Sequence, residues 1–209
     1  MLDAVIFDFD GTLADTRAIT YDVYIALAKK HDITPLAKHD FEALGKLPIR
    51  TRLKKHGVRI YHLPKLIKSA LPMYKARIKE AQFYPLKMTL DALHKQGIKL
   101  AIVSSNDKET IEAFLTLHNL TMFDCIIGKA PVFGKAGAIK RALKQLNVSK
   151  QATLYVGDER RDIEACQKLS LKIIAVGWGY DDATLLKVSN PTYYVEDVSK
   201  LHDVLMQHH

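Results

Sequence analysis

Short apolar runs that alternate with helical stretches constrain the fold of this chain most. Each run is too short for a typical helix and ends at polar or turn-forming residues, so we interpret the runs as buried strands. They lie near residues 5–9, 98–103, 125–127, 154–156 and 173–176, with a shorter edge strand predicted at 191–195. Such alternation favours crossover connections between parallel strands. The sequence therefore predicts an α/β fold with an open, Rossmann-like parallel sheet.

Polar residues follow three of these strands. The first run ends in Asp8 and Asp10, Ser104 follows the second, and Asp158 follows the fourth. In open parallel sheets, ligands bind at the carboxyl ends of the strands. If the first strand continues through Phe9, its period of two turns both acids to one side. Two acids beside apolar surface are costly without a cation, so this pattern indicates chemistry rather than packing.

Residues 8–15 carry the strongest motif, with the sequence Asp-Phe-Asp-Gly-Thr-Leu-Ala-Asp. This string resembles the opening motif of the haloacid dehalogenase (HAD) superfamily, in its phosphatase branch. The resemblance implies that Asp8 attacks phosphorus and that Asp10 is the general acid and base. It also places Gly11 in the phosphate-binding set. A carboxylate is a workable nucleophile for a phosphoryl group, and two successive transfers are each easier than one.

A second acidic pair, Asp158 and Asp162, follows the strand at 154–156 and resembles the fourth motif of the same family. The resemblance implies a magnesium ion held by the Asp8 carboxylate, the Asp10 backbone carbonyl and Asp158, with Asp162 in support. Few, hard oxygen ligands suit this ion. We also expect Asp158 to cap a helix, with Asp162 about one turn later on the same face.

The second and third motifs of the family are weaker here. Ser104 resembles the strand-ending hydroxyl that binds a phosphate oxygen, and Ser105 and Asn106 offer further donors at a predicted helix start. For the third-motif lysine, Lys135 is favoured over Lys129 because it begins a predicted helix. Alanine follows it, in place of the commoner proline. Its ammonium group would balance the nucleophile and the transferring phosphoryl group.

The segment 16–82 does not fit the strand–helix alternation. It holds helical patterns at 18–30 and 64–80 without convincing strands, and it lies between the first and second motifs. The resemblance implies an inserted, all-helical C1 cap. We predict a core domain of residues 1–15 and 83–209 and a cap domain of residues 16–82. A closing lid excludes water and strengthens electrostatic interactions beneath it.

Positive charge is concentrated in the predicted cap. Residues 17–82 contain 15 Lys and Arg against 5 Asp and Glu, a net of +10, whereas the whole chain carries +8, which leaves −2 for the remainder. Arg50, Arg52 and Lys54 are candidates to clamp an anionic substrate; the alternative is a solvated helical face. No nucleic-acid groove is expected, because the basic residues are not interleaved with aromatic residues that stack on bases.

These motifs together predict a magnesium-dependent phosphomonoesterase, similar to phosphoglycolate phosphatases, acting on a small anionic phosphorylated metabolite. A phosphomutase is the main alternative because it uses the same four motifs. A haloacid dehalogenase needs neither Asp10 nor a metal, and a noncatalytic binding protein has no need of all the acids. Both are less favoured. The substrate and the oligomeric state are not predicted.

Further patterns concern location and minor features. No stretch approaches the roughly 20 apolar residues of a membrane span, and the first residues lack the basic region of a signal peptide, so we expect a cytoplasmic protein without membrane partners. Cys125 and Cys166 are predicted to be buried thiols. The loop at 177–180 is interpreted mainly as packing and turn formation, and the alternative is that it borders the site. The final His208 and His209 are either native or remnants of a purification tag.

Overall fold

A parallel sheet of six strands forms the centre of the computed structural model, which describes residues 2–31, 34–55 and 58–207. The strands of the structure are β1 Ala4–Phe7, β2 Ala14–Asp15, β3 Gln82–Phe83, β4 Lys99–Val103, β5 Cys125–Ile127, β6 Thr153–Gly157, β7 Lys172–Val176 and β8 Tyr193–Val195. The large sheet has the order β5-β4-β1-β6-β7-β8, and all of its neighbouring strands are parallel. The predicted α/β class and parallel sheet are confirmed.

Helices connect the strands and cover the sheet. They are α1 Arg17–Lys30, α2 Lys38–Ala43, α3 Ile49–Lys55, α4 Leu63–Arg77, α5 Lys87–Lys95, α6 Lys108–Leu117, α7 Ala136–Leu146, α8 Arg160–Leu169, α9 Ala183–Val188 and α10 Leu201–Met206. Short 3-10 turns occur at Leu44–Lys46, Ile60–His62, Ile78–Glu80, Lys150–Ala152 and Val198–Lys200. In the described part of the chain, no helix is both long and apolar enough to cross a bilayer.

The two faces of the sheet belong to two separate apolar clusters. In β1, Val5 and Phe7 pack into one cluster, whereas Ala4 and Ile6 pack into the other. Successive side chains of a strand point to opposite faces, and helices cover both, so the strands read as continuous apolar runs. Cys125 is a buried free thiol on β5, as predicted, and Cys166 is another on α8.

Strand order reverses at β1, the strand that carries the first motif. The chain passes from β1 to β4 and β5 on one side and then returns to β6 on the other. Ligand crevices in such sheets form at this switch point, outside the carboxyl ends of the strands. The residues that follow β1, β4 and β6 are therefore brought to one edge of the sheet.

The first strand ends earlier than predicted. β1 stops at Phe7, and the carbonyl of Phe9 accepts hydrogen bonds from the amides of Leu13 and Ala14 at 2.9 and 3.0 Å in the turn that follows. The expectation that strand geometry alone aligns Asp8 with Asp10 was therefore wrong, because both acids lie beyond the strand. The turn positions them instead.

Helices α1 to α4 lie between β2 and β3 in the described part of the chain, as the predicted all-helical insertion requires. The chain enters and leaves this helical segment through an antiparallel ribbon in which Ala14 pairs with Phe83 and Asp15 with Gln82. Of the helical segment, Ile19, Val23 and Tyr74 join the apolar cluster beneath. The division of the chain into domains at residues 15 and 83 stays a prediction.

Candidate active site

Asp8 and Lys135 form a buried ion pair at the carboxyl end of β1. Lys135 Nζ lies 2.6 Å from Asp8 Oδ2 and 2.6 Å from Asp162 Oδ1. Asp8 and Lys135 are each 1% exposed. Lys135 immediately precedes α7, as expected, whereas the alternative Lys129 is exposed on the loop after β5. The structure thus places Lys135, and not Lys129, beside the predicted nucleophile.

Burial governs the ionisation of this pair. Desolvation raises the pKa of Asp8 to about 7, although the ammonium of Lys135 lowers it. Burial lowers the pKa of Lys135, but the carboxylates of Asp162 and Asp8 outweigh it, so the net pKa is raised. Asp8 Oδ1 accepts a hydrogen bond from the Phe9 amide at 2.7 Å, whereas Oδ2 contacts the Lys135 ammonium and no other donor among the described residues. Oδ2 therefore keeps a lone pair for an incoming group.

Asp10 is held by donors from three parts of the chain. Its Oδ1 accepts hydrogen bonds from the Thr16 hydroxyl, at 3.0 Å, and from the Tyr74 hydroxyl, and its Oδ2 accepts one from Asn106 Nδ2 at 2.6 Å. Burial raises the pKa of Asp10, and the bonds from Tyr74 and Thr16 lower it in part. A carboxyl group with a raised pKa is suited to carry protons near neutral pH.

The Asp158 carboxylate is fixed at both oxygens. Oδ1 accepts a hydrogen bond from the Thr12 hydroxyl at 2.7 Å, and Oδ2 accepts one from the Tyr180 amide at 2.8 Å. Burial raises the pKa of Asp158, and neighbouring carboxylates raise it further. A Cβ at Gly11 or Gly179 would overlap this carboxylate, which explains why glycine stands at both positions. Gly11 also has a φ of +74°, which glycine adopts readily.

The loop at 177–180 borders the site, so its interpretation as mainly packing was incomplete. The Tyr180 amide donates a hydrogen bond to Asp158. The Tyr180 hydroxyl lies 2.8 Å from the Thr16 hydroxyl and 2.7 Å from the Thr20 hydroxyl. Thr16 in turn contacts Asp10. This loop therefore links the fourth-motif acid to the start of the helical segment.

Two residues beside the fourth motif were missed as site residues. Helix α8 begins at Arg160 and is preceded by Glu159, so the expectation that Asp158 caps this helix was wrong. Arg161 Nε donates to Glu159 Oε2 at 2.6 Å, and both residues line a cavity between the helical segment and the sheet. Asp162 Oδ1 accepts a hydrogen bond from Lys135, and its Oδ2 accepts one from the Glu159 amide at 3.2 Å. The cluster of acids and arginines at 158–162 was the available signal.

The predicted phosphate-binding residues lie near the strand ends. Ser104 is buried, and its Oγ accepts the Asn106 amide at 3.1 Å. Ser105 and Asn106 line the same cavity as Glu159 and Arg161. The Gly11 amide donates a hydrogen bond to the Ala14 carbonyl at 2.9 Å and so stabilises the turn after β1. The phosphate contacts proposed for Ser104, Ser105 and Gly11 stay predictions.

The donor set is suitable for a hard divalent cation. Carboxylate oxygens of Asp8, Glu159 and Asp162 lie within 4.8 Å of one another in a buried position. Asp8 Oδ2 contacts the Lys135 ammonium and has no other donor among the described residues. Each oxygen of Asp158 accepts one hydrogen bond and retains a further lone pair. Carboxylates crowded in this way repel one another, and a bound Mg²⁺ would offset that cost.

A cavity of about 1090 Å³ lies between the helical segment and the sheet. Asp10, Asn106 and Arg161 line it from the sheet side, and Tyr74 and Leu71 line it from α4. A few polar side chains at the edge of a large concave space are typical of a substrate site.

The three basic residues proposed to clamp a substrate lie in different surroundings. Arg52 lines the cavity and pairs with the buried carboxylate of Asp181, which follows β7. The Arg50 guanidinium lies 4.6 Å from the centre of the Phe133 ring. Lys54 is exposed. Of the three, Arg52 contacts the sheet-bearing part of the protein through a charge pair, and the clamp itself stays a prediction.

Known proteins resemble this chain over almost its full length. A family model described as haloacid dehalogenase-like hydrolase matches residues 5–176. Phosphoglycolate phosphatase of Synechococcus elongatus is 29% identical over 208 residues, which cover 99% of this chain and 98% of that protein. Pyrophosphatase PpaX of Bacillus mycoides is 24% identical over 225 residues, covering 98% and 97% of the two chains.

A solved structure shows the same fold. The crystal structure titled as a predicted phosphatase from Clostridium acetobutylicum superposes with a TM-score of 0.86 at 23% identity, covering 99% of this chain and 100% of that one. The fold and the site thus define a haloacid dehalogenase-like hydrolase, and the chain belongs to that family. The family recognised from the first and fourth motifs is confirmed, and so is its likeness to the phosphoglycolate phosphatase branch.

Proposed function

We propose that this protein is a magnesium-dependent phosphomonoesterase that forms an aspartyl-phosphate on Asp8. The single observation that supports this most is the buried contact of 2.6 Å between Lys135 Nζ and Oδ2 of Asp8, two residues before Asp10, which lines a large cavity. A carboxylate with no other donor on that oxygen is placed to attack, and its lysine neighbour is placed to neutralise charge. The names of the two relatives, a phosphoglycolate phosphatase and a pyrophosphatase, agree with phosphorus chemistry.

In the first transfer, Asp8 Oδ2 forms a bond to phosphorus while the bond from phosphorus to the ester oxygen breaks. Lys135 offsets the negative charge of the nucleophile and of the phosphoryl oxygens. Asp10, protonated at this stage, gives its proton to the departing alkoxide. Its raised pKa favours the protonated form needed for this step.

In the second transfer, Asp10 takes a proton from water, which attacks phosphorus and breaks the bond to Asp8. Inorganic phosphate leaves, and Asp10 is again protonated. Thr16, Tyr74 and Asn106 hold the Asp10 carboxylate in place through both steps. Fixing the groups in advance removes much of the entropic cost of each transfer.

Asp8, the Asp10 carbonyl and Asp158 are proposed to hold Mg²⁺, with Asp162 in support and Glu159 within reach of the same space. When bound, the ion supplies Lewis-acid charge to the phosphoryl oxygens. Asp162 has a second role, because its Oδ1 accepts a hydrogen bond from Lys135 at 2.6 Å and so fixes the ammonium.

The test is release of phosphate from an aryl phosphate with and without Mg²⁺. We expect Mg²⁺-dependent turnover that is lost in Asp8→Asn and retained in Asp3→Asn, a matched change at an exposed acid just before β1. Undiminished turnover in Asp8→Asn would exclude the aspartyl-phosphate route. A phosphomutase would instead convert a sugar phosphate to its isomer without releasing phosphate, so both products are measured.

A further inference from the structure

We propose that the cavity accepts phosphate esters with a large, uncharged apolar leaving group, of the size of an arylalkyl chain. This inference rests on the proposed function, because it assumes that the phosphoryl group lies at Asp8. It concerns the part of the substrate that the helical segment contacts. Neither relative's name indicates such a leaving group.

The cavity is much larger than a two-carbon leaving group requires. Its volume of about 1090 Å³ is slightly above the roughly 300–1,000 Å³ of typical small-molecule sites. One water takes up about 30 Å³ in the liquid. A small polar ester would leave most of this space to solvent.

Its walls differ in chemistry between the two sides. On the sheet side the lining is polar and includes Asp10, Ser105 and Asn106. On the helical side, aliphatic side chains from α1, α3 and α4 line it: Val23, Leu27, Leu53, Leu66, Ile67 and Leu71. Five of these six are only partly buried, so they present apolar surface to the cavity rather than packing fully against one another. Covering such surface with an apolar group is favourable.

The charges of the lining also disfavour an anionic leaving group. Each arginine that lines the cavity is paired with a carboxylate. Arg17 Nε donates to Asp15 Oδ1 at 2.9 Å, Arg52 pairs with Asp181, and Arg161 pairs with Glu159.

Glu42 also lines this cavity, as do Glu80, which pairs with Arg77 at 2.6 Å, and the exposed Lys38. A leaving group with its own carboxylate, such as that of phosphoglycolate, would have to compete for arginines that are already paired. An uncharged apolar group does not meet this cost.

The experiment compares esters of matched reactivity. Propyl phosphate and 3-phenylpropyl phosphate release similar alkoxides and differ in apolar bulk, and 2-phosphoglycolate adds a charged, small leaving group. We expect kcat/KM for 3-phenylpropyl phosphate to exceed that for each of the other two at least tenfold. Equal values for the two alkyl esters, or a preference for 2-phosphoglycolate, would overturn the inference.

Two variants on α4 test whether the preference for phenylpropyl phosphate arises in this cavity. Ala70 lines the cavity, whereas Ala76 is exposed outside it, so Ala70→Phe removes cavity volume and Ala76→Phe does not. We expect the ratio of kcat/KM for phenylpropyl over propyl phosphate to fall at least fivefold in Ala70→Phe and to stay unchanged in Ala76→Phe. The ratio is independent of the fraction of folded enzyme. An unchanged ratio in Ala70→Phe would contradict binding in this cavity.

Binding without turnover separates this inference from the proposed function. In the Asp8→Asn variant with Mg²⁺, calorimetry should show phenylpropyl phosphate bound at least fivefold more tightly than propyl phosphate. If the wild-type protein hydrolyses none of the esters, the proposed function fails, and the calorimetric preference still decides this inference. Equal affinities would overturn it even in an active enzyme.

Discussion

The hydroxyl of Tyr74, on α4 of the helical segment, donates a hydrogen bond to the carboxylate of Asp10, which follows β1. The two residues are 64 positions apart in the sequence. The proposed proton carrier thus depends on a donor from the inserted helices. Placement of this segment over the sheet and the ionisation of Asp10 are therefore linked through one contact.

Replacing Tyr74 with phenylalanine removes that donor while keeping the ring. Because the bond lowers the pKa of Asp10, its loss should raise that pKa further and move the pH profile of kcat to higher pH. Loss of a hydrogen bond to a charged group corresponds to about a tenfold fall in kcat. The control is Tyr21→Phe in the same cavity, where the hydroxyl donates to the Leu36 carbonyl. An unshifted profile in Tyr74→Phe would show that Asp10 is not the titrating group.

Lys135→Met should remove activity and destabilise the protein. Its ammonium lies between Asp8 and Asp162, and taking away one member of a buried charge pair costs about 3 kcal/mol or more. Denaturant unfolding at pH 8, where Asp8 is ionised, measures the loss. The matched variant Lys129→Met changes an exposed lysine and should leave both properties unchanged. Equal effects of the two variants would remove Lys135 from its proposed role.

Magnesium should stabilise the protein more at pH 8 than at pH 5.5. The pKa of Asp8 is about 7 in the folded chain, above its ordinary value of 3.8. Between pH 3.8 and about 7, the folded state therefore keeps a proton on Asp8 that the unfolded state has released. Without metal, unfolding free energy should therefore fall as the pH rises from about 4 to 7. Mg²⁺ needs the deprotonated carboxylate, so its affinity should rise over the same range.

Thermal melts with and without Mg²⁺ at the two pH values test this dependence. In Asp8→Asn, the increase in melting temperature with Mg²⁺ should be smaller at pH 8 and should depend less on pH. A larger stabilisation of the wild-type protein at pH 5.5 than at pH 8 would contradict the assignment of Asp8 as a ligand.

Arg52→Ala should raise KM, whereas Lys54→Ala should not. Arg52 pairs with Asp181, whose pKa is about 6 because burial raises it, Glu159 raises it further and Arg52 lowers it in part. Without Arg52, Asp181 is left buried beside another acid, and the contact between α3 and the loop after β7 is lost. We expect KM to rise several-fold, the equivalent of about 1 kcal/mol. Similar increases in both variants that disappear in high salt would instead favour general attraction by the basic surface.

Most strands could be predicted from the sequence because they depend on the local pattern of apolar residues. The strands at 99–103, 125–127 and 172–176 were found within a residue or two, since both faces of the sheet are covered and the runs are uniformly apolar. The end of β1 was misplaced by two residues. Asp8 and Phe9 continue the run in sequence, and only the hydrogen bonds of the following turn stop the strand.

The sequence by itself determined the order of strands and helices along the chain and the family, and it predicted the acids of the site and favoured Lys135 over Lys129, because these depend on periodicity and on contiguous motifs. The tertiary structure decided which side chains meet. It selected Lys135 over Lys129, brought Tyr74 to Asp10, and paired Arg52 with Asp181. Such contacts join residues tens to more than a hundred positions apart, and only the packing of the helical segment on the sheet fixes their distances.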